Sequence, residues 1–262
     1  MVHPLDETEY LVGRAREGDR QSYRRLIKRY MPFVYALCWA RTTNAEAARR
    51  MAEAAFSIAY RNLWAAPGKQ FRRWLYTTFR ENVFSNLPSS SDIAEDHPLH
   101  LLASMPWRSR EFITVHCASG LSMSEIAKTF CEDSEPISRA VAALAGAPGG
   151  GRLPCPMINV LPALLDDSLP LKKKAGVDAH IVECDECRKA LASIRAALAG
   201  FKAAFKELLP GQDAAERIVS ALPDIAPAPP ERPRAVKALA AGWILATIAV
   251  ALGLILYLLT RR

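Results

Sequence analysis

Four residues in the second half of the chain have the types and the spacing of a metal site. Cys155 is followed by a His-x-x-x-Cys-x-x-Cys motif made of His180, Cys184 and Cys187. At a helix start, a His and a Cys four residues apart face the same way, and a Cys three residues further on joins them. Cys155 completes the set if its own helix packs alongside. Three thiolates and one imidazole form a closed, tetrahedral Zn²⁺ site, which is structural rather than catalytic.

The same cysteines have two simpler interpretations. Cys184-x-x-Cys187 can be a cytosolic thiol redox pair, or the cysteines can be plain core residues. Zinc is favoured because thiol redox chemistry does not require a His four residues ahead of the motif. The other three cysteines lie within helical patterns, and we expect them to be small core residues: Cys38, Cys117 and Cys131. For His116, helix packing is favoured over metal ligation.

The elements that position these residues are helices. Apolar residues recur at intervals of three and four within three segments of the first 85 residues, which is the spacing of one buried helix face. Those segments span about 26–37, 51–63 and 74–83. No convincing β alternation and no internal repeat is present, so the sequence predicts an all-α protein.

Three linker-like stretches divide the chain. Residues 88–92 and 146–151 are rich in Ser, Pro and Gly, and residues 223–233 are rich in Pro. The predicted organisation is two helical domains, a zinc-binding domain, a Pro-rich linker and a membrane anchor, at residues 1–87, 98–145, 155–222, 223–236 and 238–260.

The anchor is predicted from 23 consecutive uncharged residues at 238–260. A helix of that length is about 34 Å long and crosses a hydrocarbon core of about 30 Å. Trp243 and Tyr257 lie near its two ends, where amphipathic rings favour the headgroup region. The other interpretation is a buried core helix. Residues 1–18 contain no apolar signal segment, so we expect a single-pass protein in the cytoplasmic membrane with its bulk in the cytoplasm.

Charge is unevenly distributed. Residues 1–85 hold 15 basic and 8 acidic side chains, whereas residues 86–150 hold 4 and 8. A basic first segment suits a polyanionic partner, and an acidic second one does not. The lysines at 172–174 are a solvated helix face or a contact for anionic lipid. No nucleophile–base pair, phosphate loop or paired-carboxylate site is present, so we do not expect an enzyme.

Residues 155–200 resemble the zinc-binding anti-sigma domain. The resemblance rests on Cys155, on LPALLDD at 161–167, on HIVECDEC at 180–187 and on the helical run at 188–198. It implies a small helical bundle held by zinc that sequesters a sigma factor. In some members thiol oxidation expels the metal, so redox-labile zinc is open here.

Residues 8–145 resemble an extracytoplasmic-function sigma factor, with its two helical domains in order. The first match is residues 11–40, and the second is FRRWLYTTFRENV at 71–83, where the family contacts promoter DNA. Arginines neutralise phosphate and an aromatic residue stacks on an unpaired base, although core packing is the favoured role for Trp74. The residues on family DNA-contact positions are Arg72, Arg73, Trp74, Arg80 and Asn82.

The second domain resembles a helix-turn-helix, with its approach helix and first helix at 105–130 and a recognition helix at about 134–144. Two features depart from the family. Arg49 and Arg50 occupy the place of an acidic cluster that grips polymerase, and Arg139 is the only basic residue of the recognition helix. A helix that enters the major groove needs positive charge to approach phosphates.

These resemblances imply a membrane-anchored regulator of transcription initiation, with a sigma-like module held by an anti-sigma module of the same chain. Its expected partners are core RNA polymerase, promoter DNA, the bilayer and a protease that releases it at 223–233. The alternative is an interaction protein, in which the sigma-like part is a degenerate scaffold or decoy that binds neither promoter nor polymerase.

Overall fold

The computed structural model of this protein describes residues 4–82, 93, 97–145, 154–211 and 213–223. All regular elements among these residues are helices, which confirms the all-α prediction. Twelve are α-helices and three are short 3-10 helices at Leu63–Ala65, Ala143–Ala145 and Pro156–Val160. The α-helices are α1 (Pro4–Arg16), α2 (Arg20–Thr42), α3 (Ala45–Arg61), α4 (Phe71–Asn82), α5 (His100–Ser104), α6 (Trp107–Ser119), α7 (Met123–Phe130), α8 (Ser134–Ala142), α9 (Leu161–Leu165), α10 (Leu171–Glu183), α11 (Asp185–Leu208) and α12 (Asp213–Ser220).

Helix α2 is the centre of the packing. Asp19 caps its N-terminus and accepts the backbone N–H of Gln21 at 3.0 Å and of Ser22 at 3.3 Å. The helix ends at Thr43, which adopts a left-handed conformation with φ of 49°. Its residues 26, 27, 30, 33, 34 and 37 are all buried, as the periodicity predicts. Helices α1, α3, α6 and α12 pack around it.

Helices α6, α7 and α8 occupy the range for which the helix-turn-helix is predicted. Gly120 ends α6 with a φ of 68°, a conformation that favours glycine. Ser122 then begins α7 with a capping box, in which its hydroxyl and the Glu125 carboxylate satisfy each other's backbone N–H. Helix α8 covers Ser134–Ala142, within the range predicted for the recognition helix.

Residues from all three predicted globular segments contribute to one connected hydrophobic core. Trp39 in α2, Val115 in α6 and Phe205 in α11 all belong to it. The described residues between 4 and 223 accordingly form a single compact unit.

The structure contains no helix of the length and apolarity needed to cross a membrane among the residues it describes. The predicted anchor at 238–260 and the linkers at 88–92, 146–151 and 224–233 lie outside the described residues.

Candidate metal centre and nucleic-acid surface

The four predicted ligands lie together. One ligand atom from each of Cys155, His180, Cys184 and Cys187 can be chosen so that all four lie within 4.8 Å of one another. Cys155 Sγ lies 3.4 Å from His180 Nε2. Cys155, which lies 25 to 32 positions before the other three residues, thus comes close to them in the fold. These four residues could hold a metal ion.

The motif spans the junction of two helices rather than one helix start. His180 lies in the last turn of α10, and Cys184 separates α10 from α11. Cys184 donates its backbone N–H to the His180 carbonyl at 2.9 Å, while its own carbonyl accepts from Arg188 at 3.1 Å. Cys187 belongs to the first turn of α11. The turn brings the two thiols and the imidazole to one side, although the helix is interrupted between them.

Cys155 reaches the cluster from the end of a 3-10 helix rather than from an α-helix. It is the N-cap of Pro156–Val160, with an extended backbone, and Pro156 begins the helix. The neighbouring Ile158 and Leu161 are completely or almost completely buried. Their burial fixes the position of this short helix against the core, and with it the position of the Cys155 thiol.

The thiols of the cluster differ in burial and in the direction of their pKa shifts. Cys187 is completely buried, and desolvation raises its pKa to about 12, with the nearby Cys155 and Cys184 thiols adding to the effect. The pKa of Cys184 is lowered from its usual value, chiefly by the backbone N–H of Cys187, because Cys184 caps the N-terminus of α11. His180, Cys155 and Cys184 are partly exposed. The cluster therefore lies at the edge of the core, where reagents in solvent can reach three of its four residues.

The donor set fits a tetrahedral zinc ion. Zinc bonds of about 2.3 Å to sulfur and about 2.0 Å to nitrogen place the sulfur and nitrogen atoms of a tetrahedron roughly 3.6 Å apart. The observed Cys155–His180 separation is 3.4 Å, and the remaining atoms need only small shifts to complete the shape. Three thiols and an imidazole are also the soft and borderline donors that zinc favours over calcium or magnesium.

The remaining cysteines and His116 lie apart from this cluster. Cys38 and Cys117 are buried as predicted, and burial raises the pKa of both thiols. The prediction for Cys131 is wrong: it is exposed, because it forms the left-handed C-cap of α7 rather than part of a helix face. His116 contacts the Leu121 carbonyl through Nδ1 at 2.8 Å and serves as a packing residue.

Helix α4 carries five of the six predicted DNA-contact residues. Arg73, Arg80 and Asn82 are exposed, and Arg72 is half-buried with its guanidinium 5.9 Å from the Tyr30 ring. Asn82 donates its side-chain N–H to the Thr78 carbonyl at 2.8 Å. The basic face is therefore presented outward.

Trp74 has a mixed environment. It is partly buried and stacks on Phe71 with ring centroids 5.4 Å apart and planes 29° apart. Phe71 in turn makes an edge contact with Tyr30 at 5.1 Å. Packing of this kind agrees with the core role favoured for Trp74.

Helix α8 presents a different surface. Arg139, the sixth predicted contact, forms an ion pair with Glu135 at 3.3 Å on the exposed face. Its apolar residues Ile137, Ala140 and Val141 are buried. The helix packs against α9 and against the Pro156–Val160 helix that Cys155 begins. The elements nearest the metal cluster therefore lie against the predicted recognition helix.

The cluster-bearing residues 155–222 make a large contact with residues 4–145, which we call the cis interface. At its apolar centre, Phe205 meets Trp39 edge-on with ring centroids 5.1 Å apart, and both side chains are at most 1 % exposed. Asp166 accepts the backbone N–H of Met123 at 2.7 Å, at the first turn of α7. Helix α11 also packs against α6.

The other end of the cis interface adds polar contacts at its edge. Helix α12 packs on α2 and α3. Glu216 pairs with Arg24 at 3.2 Å, Arg217 pairs with Glu53 at 3.0 Å, and Arg20 donates to the Leu222 carbonyl at 2.8 Å. All four side chains of these ion pairs are partly or largely exposed, so each pair contributes little alone.

Sequence reasoning missed this docked helix. Its signal was present, because Ala214, Ala215, Ile218 and Leu222 have the spacing of a buried helical stripe and are all buried. Sequence periodicity shows that such a stripe must be covered, but it does not identify the covering partner.

The fold and the site together define an all-α protein with a Cys₃His cluster that could hold a metal ion. Comparison with protein-family models, with curated proteins and with solved structures found no match.

Proposed function

We propose that this protein is a membrane-anchored regulator of transcription initiation, in which a sigma-like module at residues 4–145 is held in cis by a zinc-binding anti-sigma-like segment at 155–222. The cis interface is the observation that carries the proposal. The cluster-bearing segment contacts both sigma-like parts, through Phe205 and α12 on the first and through Asp166 on the second.

Zinc is the metal we assign to the cluster, and its role is structural. The ion would join Cys155 to the α10–α11 junction through three thiolates and one imidazole, with no position left for substrate. Because Cys155 is the N-cap of the short helix that packs on α8, the same bond network would fix the elements that lie against the helix-turn-helix.

Covalent linkage makes the closed state favourable even for a weak pair. A short flexible linker gives an effective concentration of about millimolar, so the intramolecular contact forms without a high intrinsic affinity. Burial of Trp39 and Phe205 contributes to the contact free energy, because aromatic side chains bury a large apolar area. We therefore expect the resting molecule to be closed.

Release would expose what the cis interface covers. Helix α12 lies on α2 and α3, and α9 lies on α8, so polymerase and promoter would meet these surfaces only after the segment leaves. Cleavage in the 223–233 linker would free the protein from the bilayer, and loss of zinc through thiol oxidation would loosen the segment itself.

The alternative is a degenerate sigma-like scaffold that binds neither promoter nor polymerase. Two observations favour it. Arg49 and Arg50 both pair with Glu46, at 3.0 and 3.5 Å, where the family has an acidic cluster. On α8, the single arginine is paired with Glu135.

A binding assay with core RNA polymerase distinguishes the regulator from the scaffold. We would compare the full chain with a variant whose cis interface is opened by Phe205→Ala plus Arg217→Glu, and with a control that carries Leu171→Ala on the exposed face of α10. The regulator predicts binding by the opened variant that exceeds the intact chain and the control. Absence of binding by all three at low salt would favour the scaffold.

The anchor has its own test. Removal of residues 237–262 is expected to move the protein to the soluble fraction. Ile248→Arg should oppose insertion by about 2.5–3.5 kcal/mol at mid-bilayer. Extraction of the full chain by salt or carbonate alone would contradict membrane anchoring.

A further inference from the structure

A cleft of about 390 Å³ opens beside the N-terminus of α4 and is lined by four basic residues. Lys69 precedes the helix, Arg72 and Arg73 lie in its first turn, and Lys128 comes from the last turn of α7. Drug-sized and cofactor-sized ligands occupy pockets of about 300–1,000 Å³. The cleft is therefore large enough for a small molecule.

The four cations in this cleft are not neutralised by ion pairs with other described residues. None of Lys69, Arg72, Arg73 and Lys128 forms an ion pair within 4.0 Å among the part of the chain that the structure describes, and no carboxylate lines the cleft. Four like charges around one opening repel each other, and an anion relieves that repulsion. The arrangement therefore favours a negatively charged ligand.

The Glu125 carboxylate, on the same helix as Lys128, is already occupied. Glu125, whose pKa is lowered chiefly by the Ser122 backbone N–H and in part by Arg72 and Lys128, accepts both the backbone N–H and the hydroxyl of Ser122 at 2.9 Å. Its negative charge lowers the positive potential around Arg72 and Lys128, but its side chain does not line the cleft. On the other side, Gly68 lies so close to Glu9 that an added Cβ would stand 2.7 Å from its Cγ. This close approach fixes the loop that carries Lys69 against α1.

The backbone adds donors to the same opening. Helix α4 begins after Gln70, whose carbonyl accepts the Trp74 N–H at 3.0 Å. The N–H groups of the first turn have no acceptor within the helix, and the helix dipole places partial positive charge there. Such a turn binds phosphate oxygens readily, and here it occurs together with four cationic side chains and a cleft.

We propose that this cleft binds the phosphate chain of a small anionic ligand, either inorganic pyrophosphate or a nucleoside diphosphate. Lys69 and Lys128 are the new binding residues. They come from separate segments of the chain and line one cleft only when the chain is folded. The inference is independent of the proposed function. Where α4 also binds promoter DNA, the ligand would compete for Arg72 and Arg73.

Calorimetric titration of the full chain in mild detergent, without added divalent cations, tests the site. Pyrophosphate and a nucleoside diphosphate are the two probes, and sulfate at matched ionic strength is the reference. Similar affinity for the two probes would indicate recognition of the phosphate chain alone. Tighter binding of the nucleotide would indicate that ribose or base contributes. Either result supports the site.

The variant Lys69→Gln plus Lys128→Gln is expected to weaken binding by at least about tenfold, since each lysine gives a charge-assisted hydrogen bond. Lys172→Gln plus Lys173→Gln removes the same charge from the exposed face of α10 and should leave affinity within about twofold. All four lysines are exposed, so folding is preserved in both variants. Failure of both probes to bind more tightly than sulfate, or an equal loss in the two variants, would overturn the proposal.

Discussion

Helices α4 and α8 are the two elements expected to meet DNA, and their surroundings differ. Helix α4 presents Arg73 and Arg80 to solvent, without an ion pair among the described residues. Helix α8 has one arginine, which is paired with Glu135, and is packed against the elements next to the metal cluster. One chain can thus expose a basic helix while a second helix, with no net basic face, packs against the elements next to the metal cluster. Metal binding should therefore affect α8 much more than α4.

The largest expected effect comes from the cluster itself. Cys184→Ser plus Cys187→Ser should remove about one equivalent of zinc and the helicity that depends on it, because structural zinc contributes about 10–16 kcal/mol in small metal-dependent folds. Metal analysis and circular dichroism of the full chain measure both changes. Cys131→Ser is the control, since that thiol is exposed and lies outside the cluster. Unchanged metal content in the double variant would contradict metal binding by Cys184 and Cys187. The expected difference between α8 and α4 would then have no basis in the metal.

The apolar centre of the cis interface is next in size. Phe205→Ala should lower the free energy of unfolding by about 3–5 kcal/mol, because it deletes a fully buried ring against Trp39. Denaturant unfolding followed by tryptophan fluorescence measures the loss. Leu171→Ala, at an 85 % exposed position, should change it little. A loss below about 1 kcal/mol for Phe205→Ala would show that the contact does not hold the segment in place.

DNA binding tests the contrast between α4 and α8 through their arginines. Arg72→Ala plus Arg73→Ala should weaken binding to all sequences and reduce the salt slope by about two units, because each arginine neutralises about one phosphate. Arg139→Ala should have a smaller effect, since Glu135 already neutralises that charge. Affinity measured across a salt series compares the variants. If Arg139→Ala abolished DNA binding and Arg72→Ala plus Arg73→Ala did not, α8 would be the DNA-recognition helix and the charge argument would be wrong.

The smallest expected effect concerns the cap that joins the metal segment to the helix-turn-helix. Asp166→Ala removes the acceptor of the Met123 N–H and should cost about 1 kcal/mol, as for other helix caps. Asp178→Ala, on the exposed side of α10, is the matched control and should change stability little. Thermal unfolding distinguishes them. Equal effects would mean that Asp166 acts only through net charge.

Sequence patterns predicted the helices, which depend on local spacing, and predicted which four residues lie together in the cluster. The buried positions of α2 and the presence of a helix at α4 followed from apolar periodicity, although the periodic segment began at residue 74 and α4 begins at Phe71. The cluster residues followed from their chemical types, although the break between α10 and α11 did not. No pattern within 180–187 shows that one helix ends at Glu183 and another begins at Asp185.

Contacts between distant segments were beyond sequence reasoning. Arg217 pairs with Glu53, and Lys128 lines the same cleft as Lys69, only because α3 packs against α12 and α4 packs against α7. Charge counts along the sequence describe each segment separately. They assigned a net negative charge to residues 86–150, yet Lys128 from that segment completes a basic cleft.

Hydrogen–deuterium exchange of the full chain measures whether the metal holds α8 and leaves α4 unaffected. The zinc-loaded protein is compared with Cys184→Ser plus Cys187→Ser, and exchange is followed in α8, in the Met123 N–H and in α4. We predict exchange at least about tenfold faster in α8 and at Met123 without metal, with α4 unchanged. Equal rates in α8 with and without metal, or the same acceleration in α4 as in α8, would contradict cis control of the helix-turn-helix by the metal segment.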